Sequence, residues 1–229
     1  MSDSRLCLAL DVPTTRDATE WVARTRGAFG VYKIGLELFC AEGREVIDAV
    51  RAAGAPAIFL DLKLHDIPRT VSRSVGRLVE LGVDYLTIHT GGGGSMMEAA
   101  AETAGDRLRL LGVTVLTSLD EQELSGVGVA MTPAAAVLKR ARLAIDSGVT
   151  GLVCSAQEAA RLRDDLGAAP YLVTPGIRLA GSATGDQKRV MTPARAIAAG
   201  ADLLVIGRTI TAADDPERAL RDLADDLRP

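Results

Sequence analysis

Hydrophobic positions along this chain fall into short runs separated by longer amphipathic stretches. Apolar runs at Leu6–Leu10, Val31–Ile34, Ala57–Leu62, Tyr85–Ile88, Leu110–Leu116, Gly151–Cys154, Tyr171–Thr174 and Leu203–Ile206 read as strands. Most are nearly continuous in Val, Ile and Leu, the pattern of strands buried on both faces. Between them, Ala-rich segments with helical spacing predict helices over Thr15–Arg26, Glu42–Ala53, Pro68–Leu81, Ser95–Ala104, Pro133–Ser147, Ala156–Leu166, Pro193–Ala199 and Pro216–Leu227. The pattern is therefore β then α, repeated eight times.

The punctuation agrees with this alternation. Thr132-Pro133, Thr192-Pro193 and Asp215-Pro216 place an oxygen acceptor before a residue that needs no donor, as helix starts do. Gly54, Gly82, Gly148 and Gly200 follow predicted helices, where a left-handed residue often ends the last turn. Eight units in 229 residues leave about 29 residues each. That fits a compact, single-domain α/β (β/α)₈ TIM barrel spanning residues 1–229. A doubly wound open sheet is the second reading, since strand count alone does not prove closure. No Pro-, Gly- or Ser-rich linker divides the chain.

Composition narrows the partners. With 26 Lys plus Arg against 30 Asp plus Glu, the formal charge is -4, which disfavours a nucleic-acid polymer. Seven aromatics (three Phe, three Tyr, one Trp) leave little for stacking bases. The apolar run near the start, Leu6–Leu10, is too short for a secretory signal, and no stretch approaches the roughly 18–20 residues of a membrane span. Cys7, Cys40 and Cys154 form neither a disulfide framework nor a metal cluster, so a reducing cytoplasm is expected. His65 and His89 are too few for a multi-histidine metal site.

In such a barrel the chemistry sits at the C-terminal ends of the strands. Those ends are polar here: Asp11, Lys33, Asp61 with Lys63 and Asp66, His89, Thr117-Ser118, Ser155, Thr174 leading to Arg178, and Gly207-Arg208. Asp61 and Lys63 are two apart and so share a strand face. An isolated pair of this kind would read as a structural ion pair. Lys33 and Asp11 at neighbouring strand ends shift the reading to an alternating Lys–Asp array that keeps each lysine protonated. A protonated lysine so placed is a ready general acid. Gly207-Arg208 after the eighth strand, with Thr209 as a helix start, suits a phosphate site, and Arg178 to Gln187 reads as a polar lid. Gly91–Gly94 reads as a tight turn, His89 as a packing or hydrogen-bonding residue, and Met96-Met97 as core filler.

The stretch Asp61-Leu-Lys63-Leu-His65-Asp66-Ile67-Pro68-Arg-Thr70-Val71 resembles the signature of the orotidine 5′-phosphate decarboxylase family. The resemblance extends over nearly the whole chain. It includes Leu8-Ala-Leu-Asp11, Lys33-Ile-Gly-Leu-Glu-Leu-Phe39, Val113-Thr-Val-Leu-Thr117-Ser118, Val153-Cys-Ser-Ala-Gln-Glu158, Val173-Thr-Pro-Gly-Ile-Arg178, Gly185-Asp-Gln187 and Val205-Ile-Gly207-Arg208. One departure is visible. Thr90 and four glycines follow His89, where the family often has a small residue, Ser or Ala, and two glycines.

The resemblance implies conversion of orotidine 5′-monophosphate to UMP and CO₂, the last step of UMP synthesis, with no metal and no organic cofactor. It implies that Lys63 donates a proton to C6, that Asp61 sits beside the substrate carboxylate, and that Lys33 and Asp11 hold the ribose hydroxyls. Thr117 would help read the pyrimidine. Arg178, Gln187, Gly207 and Arg208 would grip the phosphate. Asp66, Ile67 and Thr70 would reach a partner subunit's site, making a homodimer the working unit. Two other readings compete: a Mg²⁺-dependent barrel aldolase or decarboxylase acting on sugar phosphates, and a non-catalytic barrel that only binds a phosphorylated ligand.

Overall fold

The computed structural model describes residues 2–179 and 191–228. Eight strands close into a parallel barrel in sequence order, β1 next to β8 as well as β2, so the open-sheet alternative is excluded. They are β1 (Asp3–Leu10), β2 (Phe29–Gly35), β3 (Ile58–Leu64), β4 (Tyr85–His89), β5 (Arg109–Val113), β6 (Gly151–Val153), β7 (Tyr171–Thr174) and β8 (Leu203–Ile206). The described helices are α1 (Thr15–Arg24), α2 (Leu36–Glu42), α3 (Glu45–Ala52), α4 (Pro68–Glu80), α5 (Gly94–Ala104), α6 (Glu121–Gly126), α7 (Pro133–Asp146), α8 (Ala156–Leu166), α9 (Pro193–Ala198), α10 (Arg208–Thr211) and α11 (Pro216–Asp226). Among the described residues, no helix is long and apolar enough to cross a membrane.

Side chains alternate across the barrel wall. Leu8, Leu10, Ile34, Ile58, Leu60, Leu86 and Ile88 pack outward against the helices in one large buried cluster. Cys7, Ala9, Val31, Phe59, Leu111, Val173, Leu203 and Val205 fill the barrel interior as a second cluster. The period-two alternation continues upward from that interior layer, so the next inward positions are Asp11, Lys33, Asp61 and Gly207. Near the bottom, the Arg109 guanidinium lies 4.5 Å from the Tyr171 ring centroid, and Tyr171 stacks on Tyr85.

Several boundaries differ from the sequence reading. The helix expected over Glu42–Ala53 is α3 and starts only at Glu45; the residues before it form a separate helix, α2, which the sequence reading does not include and which Gly43, with φ of 67°, ends. The fifth strand stops at Val113, not Leu116; beyond it Thr114 turns its hydroxyl to the Val153 carbonyl. Helix α6 was not anticipated, although Asp120 and Glu123 form a reciprocal capping box at its start. Gly91–Gly94 is not a simple turn: a short 3₁₀ turn over Thr90–Gly92 leads into α5. Helix α10 starts at Arg208, one residue before the expected Thr209. Thr132 and Asp215 cap their helices through side-chain oxygens, whereas Thr192 makes no such bond. Gly54, Gly82, Gly148 and Gly200 all have positive φ, as their places after helices require.

Candidate active site

The polar inward positions gather at the C-terminal mouth of the barrel around a pocket of about 390 Å³. That volume is in the range of small-molecule sites. Asp11, Lys33, Asp61, Lys63, Thr117, Arg178, Gly207 and Arg208 all line it. Val113, Val115, Val153, Val173 and Val205 supply apolar wall, and Phe59 is the one aromatic.

A continuous chain of opposite charges runs from β1 to β3. Lys33 Nζ donates to Asp11 Oδ1 at 3.0 Å and lies 3.5 Å from Asp61 Oδ2. Lys63 Nζ donates to Asp61 Oδ1 at 2.9 Å. The alternating array expected from the sequence is thus Asp11–Lys33–Asp61–Lys63. Burial works against the Lys33 ammonium, but the Asp61 and Asp11 carboxylates outweigh it and hold its pKa above the ordinary lysine value. Burial likewise works against the Asp61 carboxylate. The Lys33 and Lys63 charges, with hydrogen bonds from Lys63 and Thr87, overcome it and hold Asp61 below the usual carboxylate range. Gly35 leaves room for this chain, since a Cβ there would come within 3.2 Å of Asp11 Oδ1 and 3.3 Å of Lys33 Nζ.

Strand β3 is irregular at the site. Its pairing with β4 runs Phe59 to Tyr85 and Leu60 to Leu86, then resumes at Leu64 to Ile88. Asp61, Leu62 and Lys63 therefore lie opposite the single Thr87, a bulge of the kind found beside active sites. Lys63 absorbs the irregularity: among the described residues it is the one non-glycine with positive φ, at 51°. Such strain persists only where the surroundings over-determine it.

On the β7–β8 side two guanidiniums face the pocket. Arg178 Nη1 donates to the Ile177 carbonyl and to Thr209 Oγ1, each at 3.1 Å. Burial and the neighbouring Arg208 charge push the Arg178 pKa down. Two cations set side by side at a pocket edge are suited to an anion that relieves their repulsion. Thr117 and Ser118 line the pocket after β5.

Three of the expected site residues, those assigned to a partner subunit's site, lie apart from this pocket. Asp66, Ile67 and Thr70 stand exposed where β3 passes into α4 and do not line it; Ile67 is 66% exposed. Gln187 and most of the expected lid lie outside the described residues. His89 is half-buried, with its ring 5.4 Å from that of His65. Burial, followed by the His65 and Lys63 charges, lowers its pKa, which favours the neutral ring. That agrees with a packing role. Met96 and Met97 are fully buried, as expected of core filler. Ser118, read as a polar strand end, lines the pocket, and Thr209, read as a helix start, braces Arg178; Thr87 is the pocket residue that the sequence reading misses. Thr87 had a legible signal, since it stands two residues beyond inward-facing Tyr85 in an otherwise apolar strand.

Comparison with known proteins fits this geometry. Residues 4–223 match the Orotidine 5′-phosphate decarboxylase / HUMPS family. The chain is 48% identical over 220 residues to an orotidine 5′-phosphate decarboxylase of Anaeromyxobacter sp. (strain K), covering 96% of each chain. It is 53% identical over 218 residues to the Laribacter hongkongensis protein of the same name, covering 93% of this chain and 88% of that one. The crystal structure of orotidine 5′-phosphate decarboxylase from Lactobacillus acidophilus superposes with a TM-score of 0.85 at 32% identity, over 99% of this chain and 100% of that one. A mouth that chains two lysines to two aspartates, the barrel beneath it and these relatives agree: the chain belongs to the orotidine 5′-phosphate decarboxylase / HUMPS family.

Proposed function

We propose that this chain decarboxylates orotidine 5′-monophosphate to UMP, the closing step of pyrimidine nucleotide synthesis, without metal or organic cofactor and with Lys63 as proton donor. The observation that carries the reading is one pocket holding both the Asp11–Lys33–Asp61–Lys63 chain and the Arg178–Arg208 pair. The cations suit a phosphate, and the charged chain suits the ribose and the reacting end of the base.

In the reaction the bond from C6 to the carboxylate breaks, CO₂ leaves, and the electron pair stays on C6. That orbital lies in the ring plane, so the π-system cannot delocalise it. The stabilisation has to be electrostatic, from a charge already in place. The Lys63 ammonium then gives C6 its proton, and the resulting amine regains one from water. Asp61 orients Lys63 and places negative charge beside the departing carboxylate, while Lys33 and Asp11 meet the ribose hydroxyls. Thr117 reads the base. Arg178, Arg208, the Gly207 backbone and Gln187 hold the phosphate.

The sugar-phosphate reading requires carboxylates open to Mg²⁺. Here Asp61 lies within ion-pair distance of both lysines and Asp11 bonds Lys33, an arrangement that favours metal-free chemistry. The phospho-ligand-only reading leaves the charged chain, with Lys33 and Asp61 largely buried at its middle, without a purpose. Loss of orotidylate absorbance in the presence of a chelator tests the proposal.

The working unit is a homodimer in the cytoplasm, with Asp66, Ile67 and Thr70 completing the partner's site. Their exposure at the head of α4, outside the lining of this chain's own pocket, supports that reading. Mixing inactive Lys63→Ala and Asp66→Ala proteins should restore about a quarter of wild-type turnover, since about half the dimers are then mixed and each has one intact site. No recovery after subunit exchange would place Asp66 outside the shared site.

A further inference from the structure

We infer that Thr87 is a positioning residue that fixes Lys63 and Asp61 relative to each other for the proton transfer. The inference rests on the functional reading above and extends it to a residue that does not bear the chemistry itself. Thr87 sits on β4 facing the pocket and is 1% exposed. Its Oγ1 accepts the Lys63 backbone N–H at 2.9 Å and donates to Asp61 Oδ1, also at 2.9 Å.

The direction of these bonds is set by chemistry. An amide N–H can only donate, so Thr87 must accept there, and its single hydrogen goes to the carboxylate. Other threonines near the strand ends behave differently: Thr90 and Thr114 give their hydroxyls to main-chain carbonyls. Thr87 alone of these three joins two groups of the charged chain.

The bulge explains the need. Three residues of β3 face Thr87, and the Lys63 amide takes its hydroxyl as acceptor. Both ends of Lys63 are thereby tied to one point: its backbone reaches Asp61 Oδ1 through Thr87, and its ammonium reaches the same oxygen directly. Threonine is stiff about χ1, so the tie has little play. It holds Lys63 in its left-handed conformation and keeps Asp61 Oδ1 turned toward the ammonium. Reactions of positioned groups are sensitive to displacements of about 1 Å.

The test compares Thr87→Val, which keeps the shape and removes the hydroxyl, with Thr87→Ser, which keeps the hydroxyl. Steady-state kinetics on orotidylate, equilibrium binding of UMP and thermal melting are measured for each. Losing a hydrogen bond to a charged group predicts a fall in kcat of about 10- to 100-fold for Thr87→Val, with KM and UMP affinity within about threefold. Thr87→Ser should stay within about threefold of wild type. Thr87→Ala supplies the hydroxyl-free comparison should the valine variant not fold. Unchanged kcat in the hydroxyl-free variant would overturn the inference, as would equal impairment of the serine variant or a loss carried by KM and UMP binding. A wild-type chain inert on orotidylate would instead overturn the functional reading beneath it.

Discussion

Replacing Lys63 with alanine is expected to lower kcat on orotidylate by at least about a thousandfold, the scale of losing both a proton donor and a preorganised charge. UMP binding should fall by less than about tenfold, because the phosphate and ribose contacts remain. The fold should survive. The Lys63 side chain is 38% exposed, and without it Asp61 keeps its Lys33 neighbour and the Thr87 hydrogen bond. Alanine tolerates the left-handed backbone about as well as lysine does, so the substitution adds no strain of its own. Single-turnover mixing with UMP titration separates the two effects. A Lys63→Ala protein with kcat within about tenfold of wild type would show that the proton and the stabilising charge come from elsewhere.

The second large effect is expected at the phosphate end. Arg208→Ala should lower kcat/KM for orotidylate by about 10- to 100-fold, the range for a lost charge-assisted contact. The nucleoside orotidine, which has no phosphate, should be turned over equally by variant and wild type. The reason lies in where binding energy is used. Contacts to a group remote from the scissile bond help hold the reacting end in place, so their loss lowers reactivity as well as affinity. Arg178 sits beside Arg208 and is braced by Thr209 Oγ1 and the Ile177 carbonyl, so it will not swing freely into the vacated position. Equal losses with orotidine and orotidylate would mean that Arg208 acts on the barrel and not on the phosphate.

Much of this site was legible because a barrel turns strand periodicity into location. Once Val31, Phe59 and Val205 are taken as inward, Lys33, Asp61 and Gly207 follow two residues on, at the mouth. The same arithmetic reaches Asp11 through Cys7 and Ala9. The bulge was not legible. Nothing in Asp61-Leu62-Lys63 says that three residues will face one, since register depends on the neighbouring strand and not on local propensity. The inward place of Thr87 follows from the same alternation, but its two partners on β3 do not, because they depend on how that strand meets β4. The late start of the helix expected from Glu42 has a local cause, Gly43, whose positive φ ends α2 and keeps Glu42 out of α3. Asp66, Ile67 and Thr70 carry a motif whose place in one subunit is solvent, so sequence resemblance alone gives them a destination.

The most direct measurement is the ultraviolet absorbance of orotidine 5′-monophosphate on adding purified protein that has been treated with excess EDTA and dialysed free of small molecules. The account predicts that orotidylate is consumed, that UMP and CO₂ appear in equal amounts, and that the rate matches that of untreated protein. Turnover that disappears with the chelator and returns with Mg²⁺, or no consumption of orotidylate by folded protein, would contradict it.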